Sequence, residues 1–379
     1  RRQRQMCIRD RSQAVLSIFL DMLEEKPRSV CIKQPANLLV LTNFLYFKLY
    51  TQKTRFCGSF LFPYVRVLRI LTIKTERILM MIASVSKQIH ADLAHQHGFL
   101  GEGIGIAYLD TGLFPHKDFA PYSSRIAEFI DFVQYRSFSY DDNGHGTHIT
   151  GIAASSAVFD SDYLGIAPKS HIIALKVLDA SGNGVQSAFL KGLDWIHKHH
   201  NSYNIRIVNI SIGSSASEES PASIELLTHV NTLWDDGLIV CIAGGNHGPK
   251  SHSISIPGNS PKIITIGSSD DTSPMIGRRG FKVQYSGRGP TSSCVMKPDV
   301  VAPGTNIFSC APNHRYTLKS GTSMATPVVS GSLALLLEKY PFYTNKDVKM
   351  KLRKNCDKLK TPRHHQGWGR INLKKLMDL

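Results

Sequence analysis

The sequence predicts an α/β domain, a mostly parallel twisted sheet with helices on both faces, preceded by a small α+β segment. Two observations carry this. From about Gly103 onward, short continuous apolar runs alternate with amphipathic stretches, the pattern of a sheet buried on both sides. Glycine-rich turns follow several of those runs, whereas residues 14–85 lack such punctuation.

The first apolar run, 104–109, ends in Asp110-Thr111-Gly112. Helical spacing is then expected over 145–157, 185–200, 221–236 and 323–338. Strand-length apolar runs stand at 171–177, 205–210, 238–242 and 262–266. Pro327 is expected in the first turn of its helix, where a missing N–H costs little. After Pro341 a helix capped by Asn345 is expected, then a basic closing stretch containing Trp368. Residues 60–72 and 78–85 read as strands of the separate leading unit. The organisation is therefore an uncertain start at 1–13, an α+β segment at 14–85 and the main domain at 86–379.

With 42% hydrophobic residues the 379-residue chain can build a large core. No apolar run reaches the roughly 18–20 residues that cross a bilayer, so no membrane span is expected. The net charge of +16 is concentrated in residues 1–90 and after 340, while 91–340 is slightly acidic. A uniformly basic chain would point to nucleic acid; this distribution argues instead for basic flanks docking on an acidic body. The 7 cysteines are scattered without a CxxC pair. That excludes a zinc knuckle or a disulfide framework and points to a reducing, cytoplasmic compartment, with secretion as the alternative. The Arg-rich start lacks an apolar core of signal-peptide type.

Four motifs carry chemistry. Ser320-Gly-Thr-Ser323-Met-Ala-Thr-Pro327 places a serine at the head of an apolar helix, beside unpaired N–H groups and the positive end of the helix dipole. Asp110-Thr111-Gly112 closes a strand. His145-Gly146-Thr147-His148 opens a helix after the loop Asp141-Asp142-Asn143-Gly144. Gly244-Gly245-Asn246-His247-Gly248 follows another strand. A serine hydroxyl needs a base in contact, and the base needs a carboxylate to orient it. A neutral amide can then hold the oxyanion; losing such a donor typically costs about 10²–10³ in kcat.

From about Gly103 to Leu337 the chain resembles the subtilisin-like serine proteases, in which these motifs stand in the order Asp, His, Ser. Gly244-Gly245 replaces the family's usual Ala-Gly. The resemblance implies a serine endopeptidase in which Asp110 orients, His145 is general base and acid, Ser323 attacks, and Asn246 with the Ser323 N–H binds the oxyanion. It further implies that Gly182-Asn183-Gly184 and Ser211-Ile212-Gly213 sandwich an extended polypeptide substrate as an added strand, and that Ser255 lies at the floor of a roomy apolar pocket. By position, residues 14–85 resemble the family's inhibitory propeptide, a partner of the domain that is removed by a cut in a loop-like junction at roughly 80–90. No cofactor is required for the chemistry. A structural calcium ion near Asp160 and Asp162 is left open.

Other readings were weighed against this. An aspartic protease needs a second Asp-Thr-Gly. A dinucleotide loop fails at Ile106, and its glycines would have to follow the strand. The α/β-hydrolase order of triad residues is different. His145, His148 and Asp142 as metal ligands lack a companion motif. His197, His199 and His200 fit a solvated helix end. Met324 reads as packing beside the nucleophile and as an oxidation-sensitive position. A catalytically silent peptide-binding protein on the same fold is the functional alternative.

Overall fold

A computed structural model describes residues 85–120, 125–159, 162–214, 218–275 and 284–379. The expectations for 1–13, for nearly all of 14–85 and for Asp160 lie outside these residues.

Seven parallel strands form the sheet, β1 (Gly105–Asp110), β2 (Ile126–Asp131), β5 (His171–Lys176), β6 (Ile205–Ile210), β7 (Ile239–Ala243), β8 (Ile264–Ser268) and β9 (Val300–Ala302). Their spatial order is β2-β5-β1-β6-β7-β8-β9. Every neighbouring pair is parallel. All residues of β1, β7 and β8 are buried, as continuous apolar strands covered on both faces should be. Two minor ribbons complete the strands of the described residues. One is β3 (Val158–Phe159) with β4 (Asp162–Tyr163); the other is the antiparallel hairpin β10 (Ile307–Ala311) with β11 (Arg315–Lys319).

The helices are α1 (Ala91–Gln96), α2 (His145–Ala154), α3 (Gln186–His199), α4 (Pro221–Asp235), α5 (Thr322–Lys339), α6 (Asn345–Asn355), α7 (Arg363–Gln366) and α8 (Leu373–Leu376). Helices α2 and α5 pack on one another, and α5 lies along β6, β7 and β8; α3 and α4 form a second pair. Helix α5 is buried almost all round, with Leu333, Leu335, Leu336 and Leu337 fully enclosed. Truncating any of them to Ala would cost about 2–5 kcal/mol.

Three expectations are corrected. Helix α6 is capped by Thr344 in a reciprocal capping box with Asp347, and Asn345 is its first residue. The Asn345 amide is turned inward, donating to the carbonyls of Trp234 at 2.6 Å and Leu238 at 3.2 Å. Residues 85–89 are helical and Ile89 is fully buried, so this part of the 80–90 stretch is not loop. Pro327 lies inside α5 rather than in its first turn, because the helix already begins at Thr322.

The carboxyl ends of β1, β6 and β7 point to one edge, where the strand order departs in both directions from β1. Such a switch point leaves a crevice between diverging connections. The four motifs leave the sheet or enter their helices there.

Candidate active site

Asp110 ends β1 and is buried. Its Oδ1 lies 2.7 Å from Nδ1 of His145, the first residue of α2, and accepts the Thr111 N–H at 2.8 Å. Its Oδ2 is enclosed and has no hydrogen-bond partner among the described residues. His145 reaches outward, its side chain 23% exposed. A carboxylate acceptor at Nδ1 places the imidazole proton there and leaves the Nε2 lone pair for a substrate-side proton.

Asp141 fixes this pair in register. Its carboxylate accepts from Thr111 Oγ1, from the N–H groups of Asn143, Gly144 and Thr147, and from Thr147 Oγ1. Burial alone would raise the Asp141 carboxyl, but these hydrogen bonds outweigh it and hold the group below the usual carboxylate range. Thr111 Oγ1 in turn accepts the Gly146 N–H at 2.9 Å. The turn after β1 and the start of α2 are thus stitched together one residue away from each member of the Asp–His pair.

Ser323 is the second residue of α5. Its Oγ donates to the Ser211 carbonyl at 2.8 Å and forms no hydrogen bond with His145. This differs from the base contact expected from sequence. The hydroxyl rotates about χ1, and in this rotamer its proton goes to the nearby Ser211 carbonyl. Pro327 has a specific effect here. In an α-helix residue 327 would donate to the carbonyl of residue 323, and proline has no N–H. Ser211 Oγ occupies the vacated acceptor, donating to Ser323 O at 3.0 Å. Ser323 is therefore pinned to the end of β6 through both its side chain and its carbonyl.

Asn246 follows β7. Its Oδ1 accepts the Thr322 N–H at 2.9 Å and Thr322 Oγ1 at 3.1 Å. The Asn246 Nδ2 group lies beside Gly321 at the helix start, 3.3 Å from where a Cβ on that glycine would stand. Met324 N–H is taken by Gly321 O at 3.0 Å. Between these two occupied donors, the Ser323 N–H has no acceptor among the described residues. Met324 itself is buried, in line with a packing role.

The two expected binding segments flank the site. Gly182-Asn183-Gly184 sits in a turn closed by Asp179, which accepts the Asn183 N–H at 2.9 Å. Asn143, two residues ahead of His145, donates to Ala180 O at 2.9 Å and ties this turn to the histidine loop. Ser211-Ile212-Gly213 continues from β6, and the backbone groups of Ile212 and Gly213 carry no hydrogen bond among the described residues. Ser255 is buried under Gly213 and Gly245. A Cβ on Gly213 would come within 2.6 Å of Ser255 Cβ, and one on Gly245 within 1.9 Å of Ser255 Oγ, so both positions require glycine.

The sequence reading missed Lys176, a lone cation at the end of an apolar strand, which was the available signal. It is fully buried. Its Nζ donates to Thr111 O at 2.6 Å, Leu178 O at 2.9 Å and Asp142 Oδ1 at 2.7 Å, bracing the turn behind Asp110. Lys176→Met should cost about 3 kcal/mol, the lower end for removing one partner of a buried pair, because Asp142 reaches solvent. Urea denaturation of a Ser323→Ala background measures this; a loss below about 1 kcal/mol would show that the brace is dispensable.

Lys176 also disposes of Asp142 as a metal ligand. His148 is likewise committed: its Nε2 donates to Ile307 O at 3.1 Å and Thr317 O at 3.2 Å. Burial, reinforced by the positive charges of Lys319 and His145, pushes its pKa down to about 3, so the ring is neutral.

Comparison with known proteins gives a consistent result. A family model described as the subtilase family matches residues 101–369. Serine protease AprX of Bacillus subtilis (strain 168) is 35% identical over 305 residues, spanning 74% of this chain and 67% of that protein. Subtilisin Savinase of Lederbergia lenta is 34% identical over 273 residues, 72% of this chain and 90% of its own. Among solved structures, the crystal structure of a cold adapted subtilisin-like serine proteinase matches with a TM-score of 0.56 and 28% identity. That match covers 72% of this chain and 88% of the other.

Proposed function

The chain belongs to the subtilase family and is a subtilisin-like serine protease, and from this premise we propose how its residues divide the work of peptide-bond hydrolysis. Ser323 Oγ turns from the Ser211 carbonyl and attacks the scissile carbonyl carbon while His145 Nε2 takes its proton. The imidazolium that forms is stabilised by Asp110 across the Nδ1 hydrogen bond. The negative charge that develops on the carbonyl oxygen is received by Asn246 Nδ2 and the Ser323 N–H, at the positive end of α5. His145 then returns the proton to the departing amine, leaving an acyl-enzyme on Ser323. A water, deprotonated by the same imidazole, releases the acid and restores the hydroxyl. Protein groups alone carry these steps, and no cofactor takes part.

The observation that carries this assignment is the 2.7 Å Asp110–His145 contact, set on the same sheet edge as a serine whose own N–H is left open. The substrate is an extended polypeptide, lying between 182–184 and 211–213 and pairing with the open backbone of Ile212 and Gly213. A fluorophosphonate probe tests the assignment: it should label the folded wild-type protein once, at Ser323, and leave Ser323→Ala unlabelled. Folded protein that resists the probe would remove Ser323 from the role of nucleophile and favour a silent peptide-binding protein.

We further assign residues 14–85 the role of an inhibitory propeptide that the domain removes itself. The basic excess of residues 1–90 against the slightly acidic 91–340 suits docking of one on the other. Because 85–89 is helical and Ile89 is buried in the domain, the cut belongs on the N-terminal side of Val85.

A further inference from the structure

Against the hairpin β10–β11, His116, Asp118 and Cys310 are buried together. Their nitrogen, oxygen and sulfur donors all lie within 4.8 Å of one another. His116 Nδ1 is 3.3 Å from Asp118 Oδ1, and Cys310 Sγ is 3.4 Å from Asp118 Oδ2. Ligand bonds of about 2.0–2.3 Å around a tetrahedral ion put neighbouring donors roughly 3.3–3.7 Å apart, the same scale. We propose that His116, Asp118 and Cys310 form a binding site for one zinc-class divalent cation.

Each donor is already oriented by an outer partner. His116 Nε2 lies 3.2 Å from the Arg315 carbonyl, which can only accept, so Nε2 carries the proton. Nδ1 is then the acceptor that an ion would take, at present receiving the Asp118 N–H at 3.3 Å. The Asp118 carboxylate accepts from Ser155 Oγ at 2.7 Å and from Tyr316 OH at 2.9 and 3.0 Å. Cys310 is a free thiol whose S–H donates to Asp118 Oδ2. Binding exchanges that S–H bond for an S–metal bond and releases one proton to solvent, so affinity rises with pH.

The donor set selects the ion. One thiolate, one imidazole and one carboxylate suit a borderline-soft cation, whereas calcium requires six to eight oxygens. The ion would tie the loop after β1 to the hairpin that braces α2. Ser309 Oγ donates to His148 O at 2.8 Å, and His148 donates back to β10 and β11. Metal at this site thus stiffens the support of the helix that begins with His145.

The full chain carrying Ser323→Ala, loaded with zinc and passed through gel filtration, should retain one equivalent. X-ray absorption at the zinc edge should show one sulfur at about 2.3 Å among nitrogen and oxygen ligands at about 2.0–2.2 Å. With cadmium, the thiolate charge-transfer band should appear in wild type, vanish in Cys310→Ser and persist in Cys294→Ser, which removes an exposed thiol. His116→Gln, an independent variant should Cys310→Ser fail to fold, should release the ion, and Tyr316→Phe should weaken binding roughly 10–100-fold. A zinc shell without sulfur, no retained ion, or a band that follows Cys294 instead of Cys310 would overturn the assignment.

Discussion

Ser323→Ala should lower kcat for peptide hydrolysis by about 10⁶ while leaving the fold intact, the magnitude found when the nucleophile of a homologous subtilisin is removed. The structural reason for intact folding is local. Ser323 Oγ makes one hydrogen bond, to Ser211 O, at a partly exposed position, while the Pro327-vacated carbonyl keeps its Ser211 donor in the variant. Circular dichroism and urea denaturation should match wild type within about 1 kcal/mol. Residual turnover of about 10³–10⁴ over water would remain from the Asn246 amide and substrate binding. The same pair of proteins tests self-processing. N-terminal sequencing should find wild type beginning close to Val85 and the variant still carrying its leading residues. Near-normal turnover in the variant would refute the nucleophile, whereas equal processing in both would assign the cut to another protease.

Asp110→Asn is the second large effect, a loss of about 10⁴ in kcat with the protein still folded. The buried amide has two choices. It can present Nδ2 to His145, which holds the ring in the tautomer that cannot accept the serine proton. Otherwise it keeps its oxygen toward Nδ1 and the Thr111 N–H, and places an N–H₂ group where Oδ2 now sits without a partner. That costs about 1–3 kcal/mol and still removes the charge that supports the imidazolium. Steady-state kinetics on a peptide substrate decide the matter; activity within tenfold of wild type would show that Asp110 does not act through His145.

The residues assigned to the chemistry were legible from their placement. Asp110 and Asn246 follow apolar runs that stop abruptly, and His145 and Ser323 follow polar, glycine-containing loops at the heads of apolar helices. The strands over 205–210 and the helices of 185–200 and 221–236 were legible for the same reason, being continuous apolar runs or regular amphipathic ones. Strand β2 was not, because it is an edge strand with mostly half-exposed positions and Glu128 and Asp131 within it. The three residues of β9 are too few to set a period. The hairpin β10–β11 mixes polar and apolar residues because it covers α2 rather than joining the sheet. What sequence could not supply was pairing between distant parts: Ser211 answering the missing N–H of Pro327, or Lys176 crossing to Asp142. Such contacts depend on which strand lies next to which, and β1 has as its neighbours β5 and β6, neither adjacent to it in the chain.

That strand order has a consequence for when the protein becomes dangerous. The carboxylate is delivered by a central strand early in synthesis, but the alcohol arrives on a buried rod that can seat only after β6, β7 and β8 have closed beneath it. A half-made or half-unfolded molecule therefore holds no assembled cutting edge.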